Sequence, residues 1–142
     1  MNIYLDIDGV LLANDAHASL HVDDFIDKCI STGADIYWLT TWCRGEENQA
    51  IRWLSQSNMN PETIAKLEKH CRTTNWDVAK TEAVDFNVPF LWFDDDLFTF
   101  ERAELLKHNA LDNWIGVDLR KDPEALQRFV SSFPIPIELT RV

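Results

Sequence analysis

Short apolar runs separated by polar, helix-like stretches set the pattern of this chain. Asn2-Ile3-Tyr4-Leu5 reads as a buried strand that stops at Asp6-Ile7-Asp8-Gly9. Ile36-Tyr37-Trp38-Leu39 predicts a second strand, stopped by Thr40-Thr41. Phe90-Leu91-Trp92-Phe93 predicts a third, stopped by Asp94-Asp95-Asp96, and Trp114-Ile115-Gly116-Val117 a fourth, stopped by Asp118. Between them, residues 23–30 carry apolar side chains at helical spacing, with acids in the first turn and Gly33 as the C-terminal cap. Residues 46–56, which again begin with acids, and residues 99–108 are predicted helices, and Asp122-Pro123-Glu124 opens a last one. Residues 57–75 are the least legible: Asn60-Pro61-Glu62 reads as a helix start, but Ile64, Leu67 and Cys71 do not fix the type. Residues 76–86 predict a helix or turn that carries Lys80.

Strands alternating with helices predict an α/β fold, a Rossmann-like three-layer sandwich around a mainly parallel sheet. With 142 residues and no repeat or Gly/Ser linker, the expectation is one domain over 1–142. Two independent cores would each have only about 70 residues, near the lower limit for unaided folding. A hydrophobic content of 46% argues against a disordered chain. No apolar run reaches the roughly 18 residues of a membrane span, and Asp6 and Asp8 interrupt the N-terminal run, so neither a span nor a signal peptide is expected. Three widely spaced cysteines predict neither a disulfide framework nor a zinc site. The expected protein is soluble and cytoplasmic.

The formal charge is −11, divided as −6 over residues 1–35, +1 over 36–80 and −6 over 81–142. Affinity built on phosphate neutralisation calls for a basic surface, so extended duplex binding is not expected. Several acids directly follow apolar runs, where a solvated face would not put them. Right-handed crossovers bring the carboxyl ends of parallel strands to one edge, where α/β folds bind ligands. Asp6, Asp8, Thr40 or Thr41, Asp94 to Asp96 and Asp118 would then share a crevice. Clustered carboxylates repel one another unless a cation neutralises them, and an oxygen-only donor set favours Mg2+ over zinc.

Four elements in chain order, YLDIDGV, YWLTT, Lys80 and LWFDDD, resemble the motifs of the haloacid dehalogenase superfamily over roughly residues 2–120. The resemblance implies a Mg2+-dependent phosphomonoester hydrolase with an aspartyl-phosphate intermediate. Asp6 would be the nucleophile, and Asp8 would protonate the leaving oxygen and then activate water. Thr40 would bond a phosphoryl oxygen and Lys80 would balance the charge. The metal would be held by Asp6, Asp94 and the main-chain carbonyl of Asp8, with Asp95 binding it through water or orienting its neighbours. An acid at Asp8 favours ester hydrolysis over carbon–halogen cleavage, which needs no such acid.

Around these positions the sequence leaves alternatives open. Thr41 competes with Thr40 in register, and Asp96 reads equally as a helix cap. Arg44 could contact a substrate phosphate or be a surface charge, and Cys43 beside it reads as a packed thiol. The four histidines show no metal-ligand spacing. Most of the six tryptophans read as core, with Trp42 and Trp76 the two that merit suspicion. Neither the gap after Gly9 nor that from Thr41 to Lys80 has room for a large cap domain. An open site suits a phosphorylated substrate, either a small phosphoester or a nucleic-acid end. WLTTW with the later LWFDDD also resembles small phosphatase-like domains linked to RNA repair.

Two other classes share features with this pattern. A signalling receiver domain also has an acidic pocket, a Thr and a Lys, but its Lys comes last, whereas Lys80 precedes the paired acids. A catalytically silent interaction module of the same fold is the remaining alternative. Setting Asp6, Asp8 and Asp94 to Asp96 aside leaves a charge of −6, which weakens the argument against a nucleic-acid end as substrate.

Overall fold

β1 (Asn2–Leu5) is buried along its whole length, as a central strand of a parallel sheet must be when both faces are covered. α1 (Val22–Ser31) follows, burying Val22, Phe25, Ile26 and Cys29 on one stripe. Thr32 caps it and Gly33 comes next at φ +77°. The protein is represented by a computed structural model that describes residues 1–45 and 47–134. β2 (Asp35–Trp38) leads into a hairpin of β3 (Cys43–Arg44) and β4 (Glu47–Asn48), then α2 (Ala50–Ser55), α3 (Pro61–His70) and β5 (Cys71–Arg72). A 3-10 turn at Lys80–Ala83 precedes β6 (Phe90–Asp94). α4 (Thr99–Lys107), a second 3-10 turn at Leu111–Asn113, β7 (Trp114–Gly116) and α5 (Ala125–Ser131) complete the described chain.

The sheet runs β5-β2-β1-β6-β7, and its pairings are parallel. Leu5 stands level with Trp38 on one side and Phe93 on the other. Strand alternation sorts the core. Ile3, Leu5, Leu91 and Phe93 pack with α1, α2, α3 and α5, while Tyr4, Phe90 and Trp92 pack with Leu105 of α4, Trp76 and Val84. Fully burying each such large apolar side chain contributes roughly 1.5–3 kcal/mol. The result is an α/β sandwich around a mainly parallel five-stranded sheet, compatible with the Rossmann-like architecture expected. Among the described residues, no helix is long and apolar enough to cross a membrane.

The helix expected over 46–56 is shorter, covering only Ala50–Ser55. Residue 46 lies outside the described residues; Gly45 at φ +63° leads into the β3–β4 hairpin, which takes Glu47 and Asn48, and Asn48 Oδ1 accepts the Ala50 N–H at the start of α2. The illegible middle contains α3, where Asn60 Oδ1 accepts the Glu62 N–H at 3.0 Å and Pro61 opens the first turn. Between β1 and α1 the chain makes one tight turn, in which the N–H groups of Val10, Leu11 and Leu12 all donate to Ile7 O. A small antiparallel bridge from Leu12 to Ala18 follows.

Candidate active site at the carboxyl edge of the sheet

Asp6 leaves β1 between two strand ends, its N–H bonded to Phe93 O at 3.1 Å. Its Oδ1 accepts the Ile7 N–H at 2.8 Å, and its Oδ2 lies 3.4 Å from Lys80 Nζ. Asp94, the last residue of β6, is only 1% exposed. Its Oδ2 accepts Lys80 Nζ at 2.7 Å and Trp92 Nε1 at 3.2 Å. Its Oδ1 accepts the N–H groups of Asp95 at 2.8 Å and Asp96 at 3.3 Å. Lys80 therefore bridges two buried carboxylates at the ends of adjacent strands.

The loop that delivers Lys80 is itself anchored by acids. Glu82 collects the N–H groups of Asp77, Val78 and Ala79 at 2.7–3.1 Å. Buried Glu101, on α4, accepts the Lys80 N–H at 2.9 Å and the Phe98 N–H at 3.2 Å. Burial pushes the Glu101 carboxyl above its ordinary range. One side chain thus ties the start of α4 to the lysine. Neither glutamate stands out in the sequence; only the position of Glu101 in the first turn of a helix hinted at a bond to the Phe98 N–H.

Asp95 adds a third, more exposed carboxylate. Among the described residues, Asp6, Asp94 and Asp95 offer ligand atoms within 4.8 Å of one another. Burial, followed by the charge of Asp94, holds the Asp6 carboxyl well above its usual range. Burial and the neighbouring Asp94 also push Asp95 up to about 6. Burial alone would lower the Lys80 ammonium, but Asp6 and Asp94 more than offset it and its pKa is raised. Three carboxylates face one ammonium, so the cluster lacks positive charge. That donor set fits a hard divalent cation such as Mg2+. The Asp8 carboxylate is not in the group, so any part for Asp8 as a ligand rests on its main-chain carbonyl.

Asp8 is exposed, and both of its oxygens are bonded. Oδ2 accepts Trp42 Nε1 at 2.8 Å and Oδ1 accepts Trp53 Nε1 at 3.0 Å. Thr40 is fully buried, with its Oγ1 accepting the Trp42 N–H at 3.4 Å, whereas Thr41 is exposed. The Leu39 N–H donates to Leu5 O at 2.8 Å, which sets Thr40 at the same sheet edge as Asp6. Arg44 lies over the Trp76 ring at 4.7 Å and donates to Asp77 O, so its recorded contacts go to the lysine loop.

The remaining candidates take local roles. Asp96 accepts its neighbour's Leu97 N–H at 2.9 Å and does not cap α4, whose N-cap is Phe98. Asp118 accepts the N–H groups of Arg120 and Lys121, and lines a cavity of about 300 Å³ with Gly9, Asn14, Asp95, Asp96 and Arg120. Cys43 is buried and its thiol is pushed up by burial, as a packed thiol would be. Trp38 and Trp92 are core, and Trp76 is buried beneath Arg44. No family model, curated protein or solved structure matches this chain.

Proposed function

We propose that this chain is a haloacid dehalogenase-like, Mg2+-dependent phosphomonoester hydrolase. The observation that carries the reading is the meeting of Asp6, Asp94, Asp95 and Lys80 at one sheet edge, with Asp8 two residues beyond Asp6. Asp6 attacks phosphorus, forming an aspartyl-phosphate as the bond to the leaving oxygen breaks. Asp8 gives that oxygen its proton. Asp8 then takes a proton from the water that attacks the same phosphorus, releasing phosphate and free Asp6. Lys80 neutralises charge on Asp6 and the phosphoryl oxygens, and Thr40 is suited to donate a hydrogen bond to one of them. Asp6, Asp94, Asp95 and the Asp8 carbonyl would hold Mg2+. When bound, the ion supplies Lewis-acid stabilisation of phosphoryl charge. The open edge suits a small phosphoester or a nucleic-acid end.

The test is phosphate release from p-nitrophenyl phosphate and from 3′- or 5′-phosphorylated oligonucleotides, with and without Mg2+. Turnover that needs Mg2+ and disappears in Asp6→Asn is the expected result. Turnover that survives Asp6→Asn would overturn the nucleophile. Stabilisation by Mg2+ with beryllium fluoride but no hydrolysis of any ester would instead favour a silent module.

A further inference from the structure

An exposed carboxylate on a loop ordinarily exchanges rotamers and bonds to water. Asp8 departs from that pattern, because each of its oxygens accepts an indole N–H, from Trp42 at 2.8 Å and Trp53 at 3.0 Å. The two indoles are stacked on each other, with centroids 4.4 Å apart and planes 13° from parallel. Their N–H groups therefore form a rigid pair of donors, spaced to meet the two oxygens of one carboxylate. Trp42 belongs to the loop after β2, and Trp53 to α2. Gln49 locks them together: its N–H donates to Trp42 O at 2.6 Å, and its carbonyl accepts the Trp53 N–H at 2.9 Å. The loop after β2 and the short helix thus hold one acid from across the sheet edge.

We infer that the stacked Trp42 and Trp53 are positioning residues that aim the Asp8 carboxyl at the leaving oxygen, an inference that rests on the hydrolase reading. An indole N–H only donates, and each carboxyl oxygen keeps lone-pair capacity after accepting one bond. The pair can therefore orient Asp8 while leaving an oxygen free to exchange a proton with substrate. The same rings line a cleft of about 330 Å³ with Glu47, Gln49, Arg52 and Gln56.

Both rings also pack against the apolar core, so loss of activity alone would not separate aiming from folding. Trp42→Phe and Trp53→Phe keep an aromatic ring but remove the N–H together with part of the indole's bulk, so the contrast between esters and the Asp8→Asn background, rather than the size of the loss, carries the test. Alkyl phosphates have leaving groups that need the proton, whereas p-nitrophenolate leaves without one. Because small misplacements cost up to about 100-fold, each variant should lower kcat on an alkyl phosphate by about ten-fold, with KM nearly unchanged. The burst of p-nitrophenolate should change far less. In an Asp8→Asn background the same Trp→Phe change should add no further loss. Asp8→Asn should also move two of the six indole N–H resonances in a 1H–15N spectrum.

An equal fall in the p-nitrophenolate burst rate, an undiminished loss in the Asp8→Asn background, or unmoved indole resonances would each overturn the role given to the pair. No turnover of any ester by the wild-type chain would overturn the hydrolase reading itself, and the positioning role with it.

Discussion

Asp6 and Asp8 stand two residues apart, yet the regions around them hold a carboxylate in opposite ways. Asp6 sits among buried charge, where Lys80 bridges it to Asp94 and where burial and both of those charges alter its proton affinity. Asp8 sits in reach of water, held by two neutral indole donors. The first arrangement is electrostatic and expensive, since desolvated charges must be paired to be tolerated. The second is geometric, fixing direction with little buried charge. Identical side chains are thereby suited to different work: one to attack beside a cation, the other to trade a proton with solvent or substrate.

The largest effect should come from breaking the electrostatic side. Lys80→Met removes the ammonium shared by Asp6 and Asp94, leaving two buried acids with no cationic partner. Metal-free protein should lose about 3–5 kcal/mol of stability in urea unfolding, the usual consequence of breaking a buried pair. Asp8→Asn, on the geometric side, should cost only about 1 kcal/mol, because an amide can accept just one of the two indole N–H bonds, while sharply reducing turnover. Comparable stability losses in the two variants would erase the distinction between the regions.

Gly9 is where the two regions meet, so it offers a smaller and more local break. Its φ of +86° is one that side chains disfavour, and a Cβ there would lie 2.3 Å from Asp95 Oδ2. Gly9→Ala should cost about 1–2 kcal/mol from the left-handed backbone. Asp95 must also turn away from the new methyl, so Mg2+ affinity measured by calorimetry should fall several-fold. Unchanged Mg2+ affinity would remove Asp95 from the proposed metal site and leave Gly9 as a simple turn residue.

The electrostatic region was largely legible in the sequence and the geometric one was not. Asp6, Thr40 and Asp94 each lie at or just beyond the end of an apolar run, so a parallel sheet was enough to bring them to one edge. Lys80 stood out by its place in the order of the motifs, after YWLTT and before LWFDDD. By contrast, Trp53 is 45 residues from Asp8 and Glu101 is 21 from Lys80, with no periodicity connecting either pair. Trp42 drew attention because it follows the second motif, but its bond to Asp8 required the fold. The hairpin at 43–48 was hidden for a local reason: its strands are two residues long, and its acids mimic a helix start.

The smallest expected effect concerns pH, and it tests the charge deficit directly. Burial and the neighbouring Asp94 push the Asp95 carboxyl up to about 6 in the folded chain, against about 3.9 for a free aspartate. A carboxyl with a raised pKa binds its proton more tightly when folded, so its stabilising contribution is complete below pH 4 and is lost as the pH rises through 6. Metal-free protein should therefore melt at lower temperature at pH 7 than at pH 5, and Asp95→Asn should flatten part of that slope. The effect stays modest because Asp95 is exposed and solvent screens it. Mg2+ should reverse the trend, because the ion competes with the proton for the same oxygens and binds better as they ionise. Equal pH dependence with and without Mg2+ would mean that the ion does not bind these carboxylates, and the positive charge they lack would then have to come from elsewhere.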